Sequence, residues 1–461
     1  MPKNPGGKAI PPRRALPFVL TLFVLLISTS ACGPSISHYT KVNQNLRAEK
    51  YEEADAVVEK HHRAYGKRSD VLYFLDRAFL LHLAGKYDES NSFFRLAEDR
   101  MEALYQKSLT AGAGAMLTND QTLPYEGEDF EKVLLNLVSA LNYAYLGEIN
   151  EALVEVRKVN HKLGLLNDRY SKKNVYKNDA FAHYLSGILY EANGELNDAF
   201  IAYRNSLKAY DDYLKHYGTE MPPSLPSDLL RVTEGLRFDE EHREYQERFP
   251  GTTWVPHKEN RGKGELIFLT YVGLSPVKED FFIDAPVPIQ GDEVYVLRVA
   301  LPHYVSRPFD IHTIEVHAIP VKDPAAKDTR LVVSRRPGLV EDVGRIARKN
   351  LEDRVGRIQA KAIARAVAKY QMTRLAAVKT GSIGQIGANI FSAVTEKSDT
   401  RSWRTLPAEI RLSRVTVEPG LYDVAVEYYD STQGFIARRT FPGIRLEPGD
   451  KKFVFDRIIG R

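Results

Sequence analysis

Cys32 is the one cysteine among 461 residues, and the chemistry predicted for it is attachment of a lipid through its thiol. It follows Ser28-Thr29-Ser30-Ala31, a lipobox-like run of small residues in which Thr29 stands where an aliphatic residue is usual. A plain signal peptide is the alternative, and it leaves an exported chain with one unexplained reactive thiol. We predict a diacylated and N-acylated Cys32, because several acyl chains hold a protein stably on a bilayer and one chain does not.

Residues 1–31 have the features of a signal peptide for export. The basic residues end at Arg14, and the apolar run Ala15–Ile27 that follows is too short to span a bilayer comfortably. Gly33 and Pro34 come after the cysteine. An acidic residue at this point would indicate retention in the inner membrane, and the sequence has none there. We therefore predict a bacterial outer-membrane lipoprotein that faces the periplasm.

The sequence contains few spacings that would support catalysis or metal binding. Its 12 histidines are scattered, His61-His62 is not followed by carboxylates at metal-ligand spacing, and no HExxH or GxSxG motif occurs. Gly381, Gly384 and Gly387 are spaced by three, but the Lys-Ser/Thr ending of a phosphate loop is missing. A Ser/His/Asp triad can arise from any chain order, and nothing here favours one. We predict a non-enzymatic protein without a cofactor or a metal site.

An acidic segment is the first candidate for recognition of a partner. It ends an insertion at 101–131, which is longer than a connector between helices needs to be. The candidate patch consists of Tyr125, Glu126, Glu128, Asp129 and Glu131. The alternative is that Glu128 and Asp129 simply start the next helix, whose positive end favours carboxylates.

A second candidate for recognition of a partner contains both charge and an aromatic ring. Arg401, Trp403 and Arg404 lie within four residues of one another and form a possible recognition patch. The alternative is a buried tryptophan that leads into the following strand.

Helical repeats are the elements predicted to position the first patch. Four turns align with one another, at Glu49-Lys50-Tyr51, Gly85-Lys86-Tyr87, Gly147-Glu148-Ile149 and Gly194-Glu195-Leu196. Ala78, Ala140 and Gly187 each precede a turn glycine by seven residues, where two helices of a tetratricopeptide hairpin need a small side chain between them. These features predict an irregular tetratricopeptide-like α-solenoid over residues 32–250, with a groove that binds a partner protein.

One predicted helix of this solenoid, at 71–84, is apolar on nearly every face. Such a helix has to be covered on both sides. Either the insertion folds over it, or its inner face is a groove for a partner helix or peptide. We favour coverage by the chain itself, since free proteins rarely expose so large an apolar patch.

The pattern changes to β-branched and aromatic runs after a linker predicted at 251–263. Strands are predicted at 265–273, 293–302, 312–321, 329–336, 409–430 and 434–458, with turns at Glu418-Pro419-Gly420 and Glu447-Pro448-Gly449. Alternation and proline punctuation favour antiparallel pairing. Residues 264–461 therefore complete an α+β multidomain chain as a β-sandwich-like domain.

A long basic amphipathic helix is predicted to interrupt the sandwich at about 338–378. Its apolar stripe begins at Val343 and repeats at helical spacing as far as Tyr370. One interpretation is a surface helix that binds anionic lipid headgroups or a partner. The other is a helix that lies across the sandwich with a solvated basic face. The glycine-containing segment that follows it is predicted to form a mobile hairpin.

The charge balance argues against a nucleic-acid partner. The formal net charge is +4, and Lys3, Lys8, Arg13 and Arg14 supply all of it. Removal of the signal peptide leaves a neutral chain without the electrostatic attraction that nucleic-acid binding needs.

Five segments of the sequence carry a resemblance to a known group of proteins. They are the Cys32 lipobox, Pro124–Glu131, Gly264–Leu266, Pro276–Glu279 and Asp399–Pro407. In them the chain resembles a group of bacterial tetratricopeptide lipoproteins of the cell envelope. The resemblance implies an accessory role in the envelope, in association with lipoproteins that activate peptidoglycan synthases, and it implies no catalytic residues.

We therefore predict an outer-membrane-anchored scaffold for protein–protein interaction in the cell envelope. The membrane contact is through lipidated Cys32, and the protein contact is through the repeats. Two alternatives remain open: a structural subunit of a secretion or surface-polymer export machine, and a glycan-binding protein. The sequence predicts neither the partner nor the oligomeric state.

Overall fold

Helices make up the first half of the chain in the computed structural model, which describes residues 37–110, 123–169, 176, 178–288, 294–322, 330–395 and 397–460. These helices are α1 (Ser37–Arg47), α2 (Tyr51–Lys60), α3 (His62–Tyr65), α4 (Asp70–Leu83), α5 (Tyr87–Thr110), α6 (Asp129–Leu146), α7 (Ile149–Arg169), α8 (Ala180–Ala192), α9 (Leu196–Tyr217), α10 (Leu225–Leu236), α11 (Asp239–Arg248) and α12 (His257–Asn260). Cys32 and the signal peptide lie outside the described residues, and so do residues 111–122 of the insertion. The predicted linker at 251–263 leads from α11 to the first strand and contains α12.

Five helix pairs within the described residues share one turn geometry. A residue with positive φ follows the first helix of each pair, and these residues are Glu49, Gly85, Gly147, Gly194 and Arg237. The next amide donates to the carbonyl five residues earlier at 2.8–3.0 Å in all five turns, which is the Schellman arrangement that satisfies the last carbonyls of a helix. Four of these turns were predicted. The pair α10–α11 was missed: its turn residue is Arg237, and the strongly charged segment that follows was not recognised as a helix of the repeats.

Gly187 is where the α8–α9 pair has its closest approach. A Cβ atom on this residue would lie 2.3 Å from Cδ1 of Tyr203, so only glycine lets the ring pack against α8. Ala78 and Ala140, at the same position in two other pairs, are fully buried. The prediction of a small side chain at this point of the repeat is confirmed.

Strands make up most of the second half. They are β1 (Gly264–Val272), β2 (Leu274–Pro288), β3 (Val294–Arg307), β4 (Thr313–Pro320), β5 (Val333–Arg335), β6 (Gly338–Asp342), β7 (Glu409–Val417), β8 (Gly420–Tyr429), β9 (Phe435–Leu446) and β10 (Lys451–Ile458). The first sheet has the order β10-β1-β7-β6, the second has the order β5-β4-β8-β9, and β2 and β3 pair as a separate hairpin. Both predicted Glu-Pro-Gly turns lie between the strands they were expected to connect.

The prediction of antiparallel pairing is wrong for one pair of strands. β1 and β10 run parallel, from Glu265 opposite Lys451 to Val272 opposite Ile458. Parallel strands need a long crossover connection, and nearly the whole second half of the chain separates these two. The alternation of residues within a strand carries no information about that pairing, because the pairing depends on which distant strand comes to lie beside β1.

β1 is the middle of a three-layer arrangement, and all of its residues are buried. Ile267, Leu269 and Tyr271 belong to the hydrophobic core of the helices. Leu266 and Phe268, which point the other way, belong to a core shared with β4 and β8 of the second sheet. The layers are therefore helices, first sheet and second sheet, and the helical core continues directly into the β-rich half.

The long helix differs from its prediction at both ends. Gly338–Asp342 forms β6, paired with β7, and the helix α13 begins only at Val343. It continues to Thr395, through the glycine-containing segment that was predicted to be a hairpin. The apolar stripe correctly predicted a helix from Val343 onward. The preceding strand β6 is only five residues long, which is too short to show the alternation typical of a strand. Ala362 and Ala366 of α13 pack against Val299 and Leu301 of β3. Within the described residues, every helix is too short or too polar to cross a membrane.

Candidate functional site

The first helices of the repeat pairs pack against the chain's own β-rich half. Nearly every residue of α4 is buried. Its Phe79 ring meets the Trp403 ring edge-on, with 5.9 Å between centroids, and its His82 Nε2 lies 3.0 Å from the Tyr271 hydroxyl of β1. Burial lowers the pKa of His82 to about 4, so that ring is neutral at pH 7. Coverage of this apolar helix by the chain itself was favoured from the sequence, and the cover is the β-rich half.

A buried ionic network joins the same two halves further along the repeats. Arg414 of β7 contacts Asp228 at 2.7 Å, Glu265 at 2.5 Å and Glu191 at 3.1 Å. Arg231 of α10 contacts Glu191 and Asp228, each at 2.7 Å. Lys451 pairs with Glu265 and lies 3.6 Å from Glu191, so three cations face three carboxylates and the charge is balanced. We call these six residues the ionic junction.

Together these contacts correct one prediction. The repeats were expected to hold a partner protein in their groove, but in the described residues this inner face is filled by the first sheet and by the segment around Trp403. A core continuous across both halves is what buries the apolar first helices. The inner face of the repeats is therefore an internal interface of the described chain.

The two predicted recognition patches meet at one buried carboxylate, Glu131. Its Oε2 accepts hydrogen bonds from the Tyr125 hydroxyl at 2.6 Å and from the Glu128 amide at 3.0 Å. Its Oε1 accepts from the Trp403 amide at 2.7 Å. Burial raises the pKa of Glu131 to about 7, although the hydrogen bonds from Trp403 and Tyr125 lower it. Glu131 therefore connects the start of α6 to the segment that precedes β7.

Trp403 and the acidic residues also have structural roles that explain their types. The Trp403 side chain is 1% exposed and donates through Nε1 to Thr405 Oγ1 at 2.9 Å. Glu128 is the N-cap of α6, and with Glu131 it forms a reciprocal capping box. Asp129 is buried in the first turn of this helix. Both structural alternatives, a buried tryptophan and carboxylates that start a helix, are what the structure shows.

Cations from two other segments surround Tyr125. The Nζ of Lys278, on β2, lies 2.5 Å from Glu128 Oε1 and 5.9 Å from the Tyr125 ring centroid. The Arg401 guanidinium lies 5.2 Å from the same ring, donates to the Arg68 carbonyl at 3.0 Å and pairs with Asp399 at 2.8 Å. Burial lowers the pKa of Lys278. Two segments that are distant in sequence from Tyr125 therefore bring cations to its ring.

A cleft of about 380 Å³ opens beside this cluster, between the start of α6, the β2–β3 hairpin, α13 and residues 398–401. We call it the junction cleft. Its acidic side chains are Glu126, Glu128, Asp129 and Asp399, and its basic side chains are Lys132, Lys278, Arg354, Arg357, Lys361, Arg365 and Arg401. Burial lowers the pKa of Arg354 to about 10, which still leaves it a cation at pH 7. The excess of positive charge in a concave site attracts anionic ligands.

The predicted site residues divide between the junction cleft and its surroundings. Tyr125, Glu126, Asp129 and Arg401 line the cleft, whereas Trp403 is buried behind it. Arg404 is half-buried, with its guanidinium 5.2 Å from the Tyr39 ring centroid. Whether any of them binds a partner stays a prediction. The cations of α13 and Lys278 were not among the predicted site residues, although a basic helix and the Pro276–Glu279 segment had both been noted.

Comparisons with known proteins add little to this picture. No family model matches the chain, and no curated protein matches it. Among solved structures it is similar to BtubC (BKLC) from P. vanneervenii, at 13% identity and a TM-score of 0.31 over 45% of this chain and 74% of that chain. It is also similar to the TPR-like repeats of a Podosopora anserina putative kinesin light chain, at 15% identity and a TM-score of 0.30 over 48% of this chain and 99% of that chain.

A third similar structure is the complex of the yeast Sti1 TPR2AB domain with pHSP90, at 14% identity and a TM-score of 0.21 over 48% of this chain and 80% of that chain. Scores this low carry no argument about function. The tetratricopeptide-like character of the helical half rests on its own features, the five matching turns and the Gly187–Tyr203 contact.

Proposed function

We propose that this chain is a non-catalytic scaffold of the bacterial cell envelope that binds an acidic segment of a partner protein in the junction cleft. The observation that carries the proposal is the convergence of Pro124–Glu131, Lys278 and Asp399–Arg401 with the cations of α13 around one concave, net-positive site. A chain that is electrically neutral after its signal peptide has no general attraction for anions. The local excess of positive charge therefore directs an anionic ligand to the cleft and not to the rest of the surface.

The inner face of the repeats has a different role in this proposal. Because the β-rich half fills that face, the repeats act as a rigid frame that holds the hairpin, α13 and residues 398–401 against the start of α6. Binding residues that sit on such a frame pay little conformational entropy when a ligand arrives. We also propose that the two four-stranded sheets form the predicted β-sandwich, because alternate residues of both enter one shared core.

The location is a further part of the proposal. We propose attachment to the outer membrane through lipidated Cys32, facing the periplasm, which is supported by the signal-peptide pattern of residues 1–31. The resemblance to envelope lipoproteins makes activators of peptidoglycan synthases the first partners to test.

Photo-crosslinking in intact cells tests the binding site. A photoreactive amino acid is placed at Arg357, which is exposed at the rim of the cleft. The control position is Arg243, which is exposed on α11 and does not line the cleft. We expect position 357 to capture an acidic peptide of an envelope protein, and the additional substitution Lys361→Glu to abolish the capture. Equal capture from position 243, capture of glycan only, or capture of further copies of this chain only would each overturn the proposal.

The anchor is tested separately, so that its failure does not affect the cleft. Cys32→Ala is expected to abolish incorporation of labelled palmitate and to release the protein from the outer-membrane fraction. Ser30→Ala, two residues before the lipobox cysteine and without an acceptor thiol to lose, is the matched control and should remain in that fraction. Unchanged incorporation of labelled palmitate into the Cys32→Ala protein would contradict lipidation at this residue.

A further inference from the structure

Two glutamates lie directly opposite each other on the outer face of the second sheet. Glu315 of β4 and Glu427 of β8 are register partners in an antiparallel pair. Their neighbours Ile314, Val316 and Val426 point the other way, into the core shared with the first sheet. Like charges at directly opposed positions destabilise a sheet, so this pair calls for a compensating cation.

His317 completes a triangle of potential metal ligands with these two carboxylates. Its Nε2 lies 3.9 Å from Glu315 Oε2 and 3.8 Å from Glu427 Oε2, and all three atoms lie within 4.8 Å of one another. These separations exceed the 2.7–3.2 Å of a hydrogen bond to nitrogen. An ion at the centre of such a triangle would be about 2.3 Å from each corner, close to the distances at which Zn²⁺ binds nitrogen and oxygen.

The remaining ring nitrogen fixes the orientation of His317. Nδ1 lies 2.7 Å from the Ser334 hydroxyl of β5, the residue opposite His317 in the sheet. We assign the proton to Nδ1, which donates to the hydroxyl and leaves the lone pair of Nε2 directed at the two carboxylates. Metal-binding histidines are held in this way by a hydrogen bond from the other ring nitrogen.

The carboxylates divide their oxygens between arginine and the triangle. Glu315 Oε1 accepts from Arg336 at 2.7 Å, and Glu427 Oε1 accepts from Arg438 at 3.2 Å. Both arginine side chains are more than half exposed, so these pairs contribute little against the repulsion between the glutamates. Each Oε2 faces His317, and that of Glu427 also accepts from the Tyr429 hydroxyl at 2.5 Å. The Tyr429 bond orients this oxygen and leaves its second lone pair for an ion.

We propose that Glu315, His317 and Glu427 bind one divalent transition-metal ion of the Zn²⁺ type, with water in the remaining positions. Imidazole with carboxylate oxygen is a ligand set that suits Zn²⁺. The ion joins β4 to β8 across the sheet and neutralises the two opposed glutamates. The site is on the far side of the second sheet from the helices, and it stands independently of the function proposed for the junction cleft. The proposal departs from the prediction of no metal site, which was made from sequence motifs, and these three residues share no such motif.

Titration with ZnCl₂ tests the site on the full chain in detergent, after treatment with EDTA and dialysis. We expect one equivalent of Zn²⁺ to bind and to raise the thermal unfolding temperature. His317→Ala and Glu427→Gln should each abolish this binding. His312→Ala is the matched control, an exposed histidine just before β4 and outside the triangle, and should bind like the wild type.

Ser334→Ala separates metal binding from a mere ion pair between a protonated His317 and the carboxylates. Loss of the hydrogen bond to Nδ1 should weaken Zn²⁺ affinity by about tenfold or more, the usual effect of removing such a support. No binding to the wild-type chain, or equal binding to the His317→Ala and His312→Ala proteins, would overturn the proposal. Circular dichroism establishes that each variant is folded before it is titrated.

Discussion

Glu265 and Glu131 are both buried between the helical half and the β-rich half, yet their carboxyl groups have opposite properties. Glu265 belongs to the ionic junction, where Arg414 and Lys451 overcome the effect of burial and hold its pKa at about 2. Glu131 accepts hydrogen bonds from the Trp403 amide and the Tyr125 hydroxyl, and burial raises its pKa to about 7. Asp76, nearby on α4, behaves like Glu131, with a pKa raised by burial to about 6.

The difference lies in the partners and not in the depth of burial. A buried carboxylate stays charged when a buried cation touches it, and it takes up a proton when it has only neutral donors or a more distant cation. The interface between the halves therefore has one region held by balanced charges and one held by hydrogen bonds to carboxyl groups whose pKa burial raises to about 6 or 7. We call the second region, around Glu131, Asp76 and Trp403, the hydrogen-bonded junction.

The largest expected effect comes from removing one cation of the ionic junction. Arg414→Met leaves Glu265, Glu191 and Asp228 buried with two cations between them, and we expect the free energy of unfolding to fall by about 3–5 kcal/mol. Urea denaturation at pH 7 measures it. Arg411→Met is the matched control on the same strand, since Arg411 pairs with the partly exposed Glu409 and should cost about 1 kcal/mol or less. Equal losses from both variants would mean that the network adds nothing to an ordinary surface pair.

The pH dependence of stability separates the two junctions next. The raised pKa of Glu131 means that its contribution is fully present below about pH 4.5 and is lost as the pH rises through about 7, a change on the order of 3 kcal/mol. The destabilisation caused by Glu131→Gln should therefore be smaller at pH 8 than at pH 5. Unfolding by urea at the two pH values gives this difference.

Glu265→Gln is the opposite case and serves as the control for that measurement. The lowered pKa of Glu265 means that its contribution is present above about pH 4.5 and is lost only as the pH falls toward about 2. Its destabilisation should be the same at pH 5 and pH 8. If the two variants showed the same pH dependence, the division of the interface into two kinds of junction would be wrong.

A smaller loss of stability is expected when Asp76 of the hydrogen-bonded junction is replaced. Its Oδ2 accepts from the Tyr39 hydroxyl at 2.5 Å and the Tyr65 hydroxyl at 2.8 Å, and its Oδ1 accepts from Thr405 at 3.0 Å. Asp76→Asn exchanges one neutral group for another at pH 5, and we expect a loss of about 1 kcal/mol. Asp55→Asn, which removes a carboxylate that accepts from Arg77 through both oxygens at 2.8 Å, should cost more. The reverse order of these two losses would contradict a raised pKa of Asp76, which leaves this carboxyl group protonated at pH 5.

The smallest effect on stability is expected at the junction cleft itself. Arg357 is exposed at the cleft rim, so Arg357→Glu should change the free energy of unfolding by no more than about 0.5 kcal/mol. The same substitution in the purified protein should weaken binding of the acidic peptide that position 357 captures, which isothermal titration calorimetry measures. A large loss of stability would show that this arginine holds the interface together and does not serve recognition.

Parts of the cleft were within reach of sequence reasoning and parts were not. Tyr125, Glu126, Asp129 and Arg401 were selected as candidates because aromatic and charged residues clustered in a long insertion and before a strand. Lys278, which pairs with Glu128, is the one basic residue on β2, a strand that was itself missed. Glu315, His317 and Glu427 gave no signal at all, since the register between β4 and β8 alone brings them together.

Four of the five helix pairs, their turn positions and the helical stripe of α13 were readable from the sequence alone. These are local properties, because a left-handed turn residue, a small side chain at a helix crossing and a period of 3.6 act over a few residues. The fold as a whole sets the parallel pairing of β10 with β1, the filling of the repeats by the β-rich half, and the opposite pKa shifts of Glu131, raised by burial, and Glu265, lowered by cations. Each of these depends on which distant residue arrives beside a given one, and the free energy of a buried charge is set by that neighbour.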